Sequence, residues 1–494
     1  KSASITEMIL KGTILTTQSK RMKSKRARRL GSTDIFLFNT LTRTLERFAP
    51  KTKKVTLYTC GPTVYAIPHL GNWRTFVFDD LVRRFLTHRE YRVQQAMNIT
   101  DVDDKTIAGA VAQKVSLSAF TEPFIAAFQH DRVRLGIEDA EHYPRATEYV
   151  AEMARFVTEL LERGFAYQTK DGSIYFSVKK FRSYGVLAHL QEQNLRPTGR
   201  VAHDEYEKEE IADFALWKAW DKQDGDVFWP QNVRNPPAGG WPAAIPKGRP
   251  GWHIECSAML RELFGESVDI HTGGVDNIFP HHQNEIAQSE ALTGKPLAGM
   301  WLHVAHLTLN GEKMAKSKGN ITVLEDVTKE GFDPLDVRYL LLSAHYRQPL
   351  DFTKDSLKAA RAARASLRDA VQGLKITNLL PVKGENALKR VERALAWDLN
   401  TPKALAAVHT FAKQIKADPT IGGGKEFFEA IERIFGIGIL KEFVIPHKVR
   451  DLVAQREAVR KDGNFVHADE LRGKIEELGF RIEDTPSGVR VLKS

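Results

Sequence analysis

The sequence predicts an α/β protein whose parallel sheet is split by an inserted α+β domain and is followed by a helical bundle and a small C-terminal domain. A strand–helix–strand pattern occupies residues 55–100, whereas two further strand patterns appear only after residue 266. A strand that returns through a helix pairs in parallel with its predecessor, so these patterns belong to one parallel sheet. From residue 354 onward the apolar residues recur at helical spacing.

The first half of the sheet is predicted within residues 34–115. The run VTLYTC begins at Val55, is short and β-rich, and ends at the turn-like Gly61-Pro62. The helical pattern FVFDDLVRRFLTH follows, and then the apolar strand RVQQAMNIT. This order is typical of the first half of a Rossmann-type catalytic domain.

The insertion is predicted over residues 116–250, which mix helical stretches with the hairpin-like AYQTKDGSIYFSV. Between Asp221 and Gly251 there are five glycines and six prolines in 31 residues, which predicts an irregular loop. The strand patterns SVDIHTGG and WLHVAHLTLN then place the second half of the catalytic domain in residues 251–353.

The remaining chain is predicted to be mainly helical. Three helical patterns separated by Pro and Gly indicate a bundle over residues 354–440. Residues 441–494 contain two more helical patterns and the hairpin-like FRIEDTPSGVRVL, which indicates a small C-terminal domain.

Composition limits the partners and the location. The 494 residues carry a formal net charge of +10, which favours a polyanionic partner without choosing among nucleic acid, acidic protein and anionic lipid. No apolar run reaches the length of about 18 residues that a membrane helix needs, so we expect no membrane partner and a cytoplasmic location.

The N-terminal segment, residues 1–33, supplies most of the excess charge. It carries nine Lys or Arg against the single acid Glu7 and is predicted to be disordered. It fits an RNA-contacting arm, a remnant of an organellar transit peptide or merely solvated sequence, of which we favour the last. An organellar address therefore stays open.

The stretch His69-Leu70-Gly71-Asn72 lies where the first strand turns into the first helix. Its glycine permits close approach of a ligand to the backbone, and a helix N-terminus favours phosphate. By itself this stretch is typical of an ordinary loop.

A second short motif, Lys313-Met314-Ala315-Lys316-Ser317, follows a predicted strand and the turn Asn310-Gly311. Two lysines on a glycine-flanked loop can close over a triphosphate and neutralise the departing pyrophosphate. Alone they indicate a solvated basic loop, but in this order after HLGN on a split α/β domain they predict an ATP site.

The chain has only two cysteines, Cys60 and Cys256, which are open to interpretation as buried thiols, a nucleophile or metal ligands. His281 and Glu285 are four residues apart in a helical stretch that begins after Pro280, so both project from one face. Zinc accepts thiolate, imidazole and carboxylate, so these four side chains form a candidate ligand set. A buried thiol remains the ordinary interpretation of either cysteine alone.

HLGN and KMAKS resemble the HIGH and KMSKS signatures of the class I aminoacyl-tRNA synthetases. Further stretches are similar to the cysteinyl-tRNA synthetase family from about residue 34 to the C-terminus: CGPTVY at 60–65, NITDVDDK at 98–105, DFALWK at 213–218, GWHIECSAM at 251–259 and FPHHQNEIAQSEA at 279–291. The resemblance implies that L-cysteine is activated with ATP and then transferred to the 3′ end of tRNA(Cys). It also implies that residues 441–494 bind the anticodon.

The resemblance further implies one Zn²⁺ per chain on Cys60, Cys256, His281 and Glu285, which selects the substrate thiolate, and Mg²⁺ on ATP. The choice of His281 over His282 comes from the family pattern, and His282 is expected on another face of the helix. The remaining assignments are phosphate contacts at His69, Gly71 and Asn72, pyrophosphate contacts at Lys313, Lys316 and Ser317, adenosine contacts at Gly274 and Asp276, and a cysteine pocket at Gly61, Thr63, Trp252 and His271.

Two positions depart from the family signatures. Asn72 replaces the last histidine of HIGH and carries no charge, and Ala315 replaces the first serine of KMSKS. Rival interpretations are a ligase that joins cysteine to an amino sugar, a non-catalytic RNA-binding descendant and a structural zinc module. We expect a monomer.

Overall fold

The computed structural model describes residues 34–190, 213–230, 240–313, 321–374, 381–441, 446–485 and 488–493. The predicted disordered segment 1–33, part of the Pro/Gly-rich loop and the lysine loop beyond Lys313 lie outside the described residues. Throughout the described part, each helix is too short or too polar to cross a membrane.

The strands belong to several small sheets. They are β1 (Ile35–Asn39), β2 (Thr44–Phe48), β3 (Lys54–Thr59), β4 (Arg92–Met97), β5 (Ala166–Gln168), β6 (Ile174–Phe176), β7 (Phe214–Ala219), β8 (Gly248–Pro250), β9 (Val268–Gly274), β10 (Ala298–Val304), β11 (Leu307–Leu309), β12 (Glu312–Lys313), β13 (Leu350–Phe352), β14 (Phe480–Thr485) and β15 (Gly488–Lys493).

The α-helices cover much of the rest. They are α1 (Leu70–His88), α2 (Asp104–Gln113), α3 (Leu117–Arg134), α4 (Val150–Glu162), α5 (Trp252–Phe264), α6 (Gln283–Thr293), α7 (Leu324–Lys329), α8 (Pro334–Ser343), α9 (Lys354–Gln372), α10 (Val382–Leu395), α11 (Thr401–Ala417), α12 (Gly424–Phe435), α13 (His447–Lys461) and α14 (Phe465–Glu477).

The central sheet has the order β10-β9-β3-β4, and all its neighbours are parallel. Helix α1 makes the crossover from β3 to β4. Strand β3 is buried at Val55, Leu57, Tyr58 and Thr59, although three of its six residues are polar. The predicted parallel α/β sheet is confirmed.

An antiparallel sheet of order β5-β6-β7-β8 lies in the chain between β4 and β9 and has helices beside it. The predicted hairpin is formed by β5 and β6, with Tyr167 opposite Tyr175. The segment is therefore an α+β insertion. The boundaries of 116 and 250 stay predictions.

One predicted strand is wrong in detail. WLHVAHLTLN was expected to be a single strand, but the chain leaves the parallel sheet after Val304 and joins another sheet as β11. The Ala305 amide donates to the Tyr346 carbonyl over 2.8 Å, and the Leu350 amide donates to the His306 carbonyl over 3.2 Å. These bonds to a later segment replace the ladder to β9.

Beyond β13 the chain is helical, as predicted. The three helical patterns correspond to α9, α10 and α11, and α12 is an additional helix that these patterns omitted. Its apolar residues Phe427, Ile431 and Ile434 recur at helical spacing and are buried. The two terminal helices and the β14–β15 hairpin are confirmed, with a small core of their own.

A buried ion pair joins the bundle to the parallel sheet. The Arg338 guanidinium, on α8, donates to the Phe435 carbonyl over 2.6 Å, to the Leu135 carbonyl over 3.2 Å and to the Asp80 carboxylate on α1. Burial by itself would raise the pKa of Asp80, but the Arg338 and Arg84 guanidiniums outweigh it and hold the pKa below its usual value. One arginine on α8 therefore links α1, the end of α12 and the residue that follows α3.

Replacing this arginine tests the junction. Arg338→Met should lower stability by about 3–5 kcal/mol because it leaves the Asp80 carboxylate buried with less compensation. The thermal midpoint measures the effect. The control Arg155→Met removes a partly exposed pair with Glu152 and should cost less than about 1 kcal/mol. Equal midpoints for the two variants would contradict the assignment.

Candidate active site and metal cluster

A cavity of about 290 Å³ opens at the carboxyl ends of the parallel strands. Ligands of open α/β sheets bind at this edge. The predicted site residues that line it are Cys60, Gly61, Thr63, His69, Gly71, Asn72, Trp252, Gly274, Asp276 and His281. The structure therefore brings the HLGN turn, the HTGGVD stretch and the predicted cysteine pocket to one place, while the roles of these residues stay predictions.

Helix α1 begins beside this cavity with His69 as its N-cap. The His69 amide donates to Asn72 Oδ1 over 3.1 Å, so the asparagine side chain caps the helix. Gly71 has no room for a side chain, because a Cβ would lie 2.9 Å from the His69 ring. The departure from HIGH thus has a structural function: Asn72 positions the turn.

The strand end at Gly61 is equally tight. Its amide donates to Asn98 Oδ1 over 2.9 Å, and a Cβ at this position would lie 1.9 Å from the Asn98 carbonyl oxygen. Only glycine lets the ends of β3 and β4 approach this closely. This contact fixes the position of the neighbouring Cys60.

Behind the cavity wall, Cys60, Cys256, His281 and Glu285 converge. All four are buried, and their ligand atoms lie within 4.8 Å of one another. Cys60 follows β3, Cys256 lies on α5, and Glu285 lies on α6. His281 and Glu285 project from one face, as their four-residue spacing predicted, and their Nε2 and Oε1 atoms are 3.1 Å apart.

This donor set fits a divalent cation. Glu285 Oε1 is buried and has no hydrogen-bond partner within the described structure, although it lies 3.1 Å from His281 Nε2. This oxygen is therefore available to a cation. Two sulfurs, one imidazole and one carboxylate suit a metal that accepts soft and borderline ligands. The cluster is therefore a candidate metal site.

The expectation that His282 points away from this cluster is wrong. His282 Nε2 lies 3.1 Å from Cys60 Sγ, and a second possible ligand set consists of Cys60, His271, His282 and Glu285. Residues Ile278–His282 form a π-helical turn in which Phe279 is extended, and α6 continues from Gln283, so the helical stretch after Pro280 is present. His282 and Glu285 are three residues apart, a spacing that also places two side chains on one helix face.

Further histidines surround the cluster, and sequence reasoning missed two of them. His253 Nδ1 lies 3.0 Å from His281 Nδ1, and His303 Nε2 lies 2.8 Å from His282 Nδ1. His271 Nε2 lies 3.0 Å from Glu285 Oε2, and the assignment of His271 to the cysteine pocket stays a prediction. The GWHIEC and WLHVAH stretches contained these histidines, but spacing alone could not join them.

Burial controls the protonation of these groups. It lowers the pKa of His253, His281 and His303 to about 3, so their rings are neutral and keep a lone pair for a ligand or hydrogen bond. The hydrogen bond to Cys256 and burial together raise the pKa of Cys60 well above its ordinary value. Without a cation the thiol therefore keeps its proton at neutral pH.

The predicted lysine loop begins at the edge of this site. Lys313 ends β12, which pairs with β11, and Leu307 at the start of β11 lines the cavity. Lys316 and Ser317 lie outside the described residues.

Comparison with known proteins agrees with the fold. Residues 47–362 match the profile of the class I (C) tRNA synthetase catalytic domain. Two solved structures share the fold: the Mycobacterium tuberculosis methionyl-tRNA synthetase with methionyl-adenylate (TM-score 0.53, 15% identity, 78% of this chain and 90% of that one) and the Agrobacterium radiobacter K84 LeuRS–tRNA–LeuAMS ternary complex (TM-score 0.55, 11% identity, 79% and 85%). The chain thus contains a class I aminoacyl-tRNA synthetase catalytic domain.

Relatives narrow the assignment. The cysteine–tRNA ligase of Chlamydia felis is 45% identical over 480 residues, which cover 94% of this chain and 98% of the relative. That of Protochlamydia amoebophila is 41% identical over 481 residues, which cover 92% and 97%. The chain belongs to the cysteine–tRNA ligase family, as the sequence motifs predicted.

Metal uptake should release protons, because the raised pKa leaves the Cys60 thiol protonated while a bound cation needs the thiolate. The apparent affinity should therefore rise with pH, by about tenfold per pH unit for each proton displaced. Calorimetric titration of Zn²⁺ in two buffers of different ionisation enthalpy measures this number. Cys256→Ser should release fewer protons than the unaltered chain, and uptake without proton release would contradict the assignment.

Proposed function

We propose that the chain activates L-cysteine with ATP to cysteinyl-adenylate and pyrophosphate, and then transfers the cysteinyl group to the 3′ end of tRNA(Cys). One observation carries this proposal: Cys60 and His281 of the buried donor cluster also line the cavity that contains the HLGN turn. A cation there would lie within the same pocket as ATP. The cysteine–tRNA ligases that match nearly the whole chain support the same substrate.

The cation in this proposal is one Zn²⁺, held by Cys60, Cys256, His281 and Glu285. A pocket that distinguished cysteine from serine by size alone would reach a selectivity of only about 10- to 200-fold. Zinc favours deprotonation of a thiol and binds thiolate strongly, whereas a serine hydroxyl is a poorer ligand. Substrate selection by coordination requires no editing domain.

The nearby side chains complete the cysteine pocket. Trp252 stacks on His281 with the ring centroids 4.3 Å apart, and its side chain is 42% exposed, so it forms a wall at the mouth of the cavity. Gly61 and Thr63 line the same cavity just after the carboxyl end of β3. We assign to these residues the orientation of the amino acid so that its carboxylate faces ATP.

Activation then depends on positioning and charge stabilisation, and neither step needs a protein nucleophile. His69, Gly71 and Asn72 would bind the phosphates; Oδ1 of Asn72 is used in the helix cap, which leaves its Nδ2 as the donor. Gly274 and Asp276 would bind adenosine, and Mg²⁺ would neutralise charge on the phosphates. The lysine loop would contact the pyrophosphate as it leaves.

The amino-sugar ligase is the weaker alternative. Such an enzyme needs no anticodon-binding region, whereas the match to cysteine–tRNA ligases covers 94% of this chain and 98% of the relative. The helices α13 and α14 and the hairpin after them are the proposed anticodon-binding region. The monomeric state and the cytoplasmic location stay predictions.

Loss of metal ligands should abolish substrate selection. In Cys256→Ser and His281→Gln, cysteine-dependent ATP/pyrophosphate exchange should fall at least about 100-fold in kcat/KM, and the preference over serine should largely vanish. The matched control His130→Gln changes a histidine that is exposed and should behave like the unaltered chain.

Metal content, measured on the same preparations, should fall in the two ligand variants only. ATP/pyrophosphate exchange that does not require cysteine, or that has the normal rate in Cys256→Ser, would overturn the zinc assignment. Transfer of labelled cysteine to tRNA(Cys) but not to an amino sugar distinguishes the two ligases.

The lysine loop gives a separate prediction. Lys316→Ala should lower the rate of adenylate formation by about 10²–10³-fold, because one charge that stabilises the transition state is lost, and should change KM for cysteine little. Rapid-quench kinetics of adenylate formation measures this rate. The control Lys329→Ala alters an exposed lysine on α7 and should have the normal rate, and a large change in KM alone for Lys316→Ala would contradict the role.

A further inference from the structure

A continuous series of hydrogen bonds joins the N-terminal hairpin to the metal cluster. Thr40 Oγ1 lies 2.9 Å from His303 Nδ1, His303 Nε2 lies 2.8 Å from His282 Nδ1, and His282 Nε2 lies 3.1 Å from Cys60 Sγ. Both histidines are buried. Neither Thr40 nor His303 belongs to the residue sets that the motifs predict for ATP, cysteine or metal.

The direction of these bonds follows from the chemistry of Cys60. A cysteine that holds a cation is a thiolate and has no proton to donate, so His282 Nε2 must donate to it. A neutral imidazole has one N–H and one lone pair, so His282 Nδ1 must accept from His303 Nε2. His303 Nδ1 is then an acceptor, and only the Thr40 hydroxyl is left to donate to it.

The backbone keeps Thr40 in this place. Its amide donates to the Trp301 carbonyl over 2.9 Å, and the side chain of the preceding Asn39 accepts from the Trp301 amide over 3.2 Å and donates to the Gly299 carbonyl over 3.3 Å. These bonds tie the end of β1 to β10, the strand that bears His303. The backbone of Thr40 is therefore held beside the His303 ring, within reach of its hydroxyl.

We propose that Thr40 is a positioning residue of the metal site, whose hydroxyl proton sets the tautomers of His303 and His282 so that an N–H faces the Cys60 thiolate. This inference rests on the proposed role of Cys60 as a metal ligand. The N–H withdraws charge from the sulfur, which leaves the cation a better acceptor for the substrate thiolate. Without the hydroxyl, the His282 lone pair can face the thiolate and repel it.

The test compares three full-length variants in their metal-loaded form. Thr40→Val keeps the shape but loses the hydroxyl, Thr40→Ser keeps the hydroxyl, and Thr42→Val makes the same change at an exposed threonine whose hydroxyl contacts only its own hairpin. Thr40→Val should weaken zinc binding about tenfold or more in a chelator competition. It should also shift the sulfur-to-metal charge-transfer band of the Co²⁺-loaded protein, while the other two variants stay normal.

A folded Thr40→Val protein with unchanged zinc affinity and an unchanged cobalt band would overturn the proposal, and so would equal defects in Thr40→Ser and Thr40→Val. A second measurement needs no variant: ¹⁵N spectra of the zinc-loaded chain, labelled at histidine, should show His303 and His282 protonated at Nε2. Protonation at Nδ1 of either ring would overturn the proposal even if Thr40→Val does not fold.

These readouts are separate from catalysis. Absence of cysteine-dependent exchange in the unaltered, zinc-loaded chain would overturn the proposed function. The role of Thr40 would still be tested by the protonation states of His303 and His282 in the ¹⁵N spectra. Absence of a thiolate band in the Co²⁺-loaded unaltered chain would overturn the inference and the metal role of Cys60 together, whatever the exchange assay shows.

Discussion

The parallel pairing of β3 with β9 is the constraint on which the catalytic part of the molecule depends. The whole insertion separates these strands in sequence, yet Tyr58 lies beside His271 and the Cys60 amide donates to the Thr272 carbonyl over 3.2 Å. Parallel strands present their carboxyl ends at one edge, so this register brings Cys60 and the HTGGVD stretch to a single cavity. Helix α5, which follows the insertion, adds Cys256 to the same place.

Local periodicity accounts for what the sequence could predict. The parallel strands, the helices of the bundle and the four-residue spacing of His281 and Glu285 all depend on neighbours in the chain. The positions of His253, His282 and His303 do not. His282 contacts Cys60, His303 lies on β10 and His253 lies on α5, so these contacts join segments that are distant in the sequence.

The same contrast explains one local error and the position of one unusual residue. WLHVAHLTLN has the pattern of one strand, but Ala305 and His306 form hydrogen bonds with Tyr346 and Leu350, and these bonds divide the strand. A local sequence pattern cannot show such a contact with a later segment. Asn72 carries no charge, so a cationic role at this position was in doubt. In the structure its side chain caps α1, so the residue that departs from the family signature stabilises the HLGN turn.

The metal cluster also bears on how the fold is held together. Burial penalises ionised groups, and the lowered pKa of the histidines and the raised pKa of Cys60 keep these side chains uncharged without a cation. In the proposed assignment the ion draws one donor from the end of β3 and the others from α5 and the start of α6. Binding energy at such a site adds to folding energy. In that assignment, an ion that selected the substrate would also join segments that the insertion keeps apart in sequence.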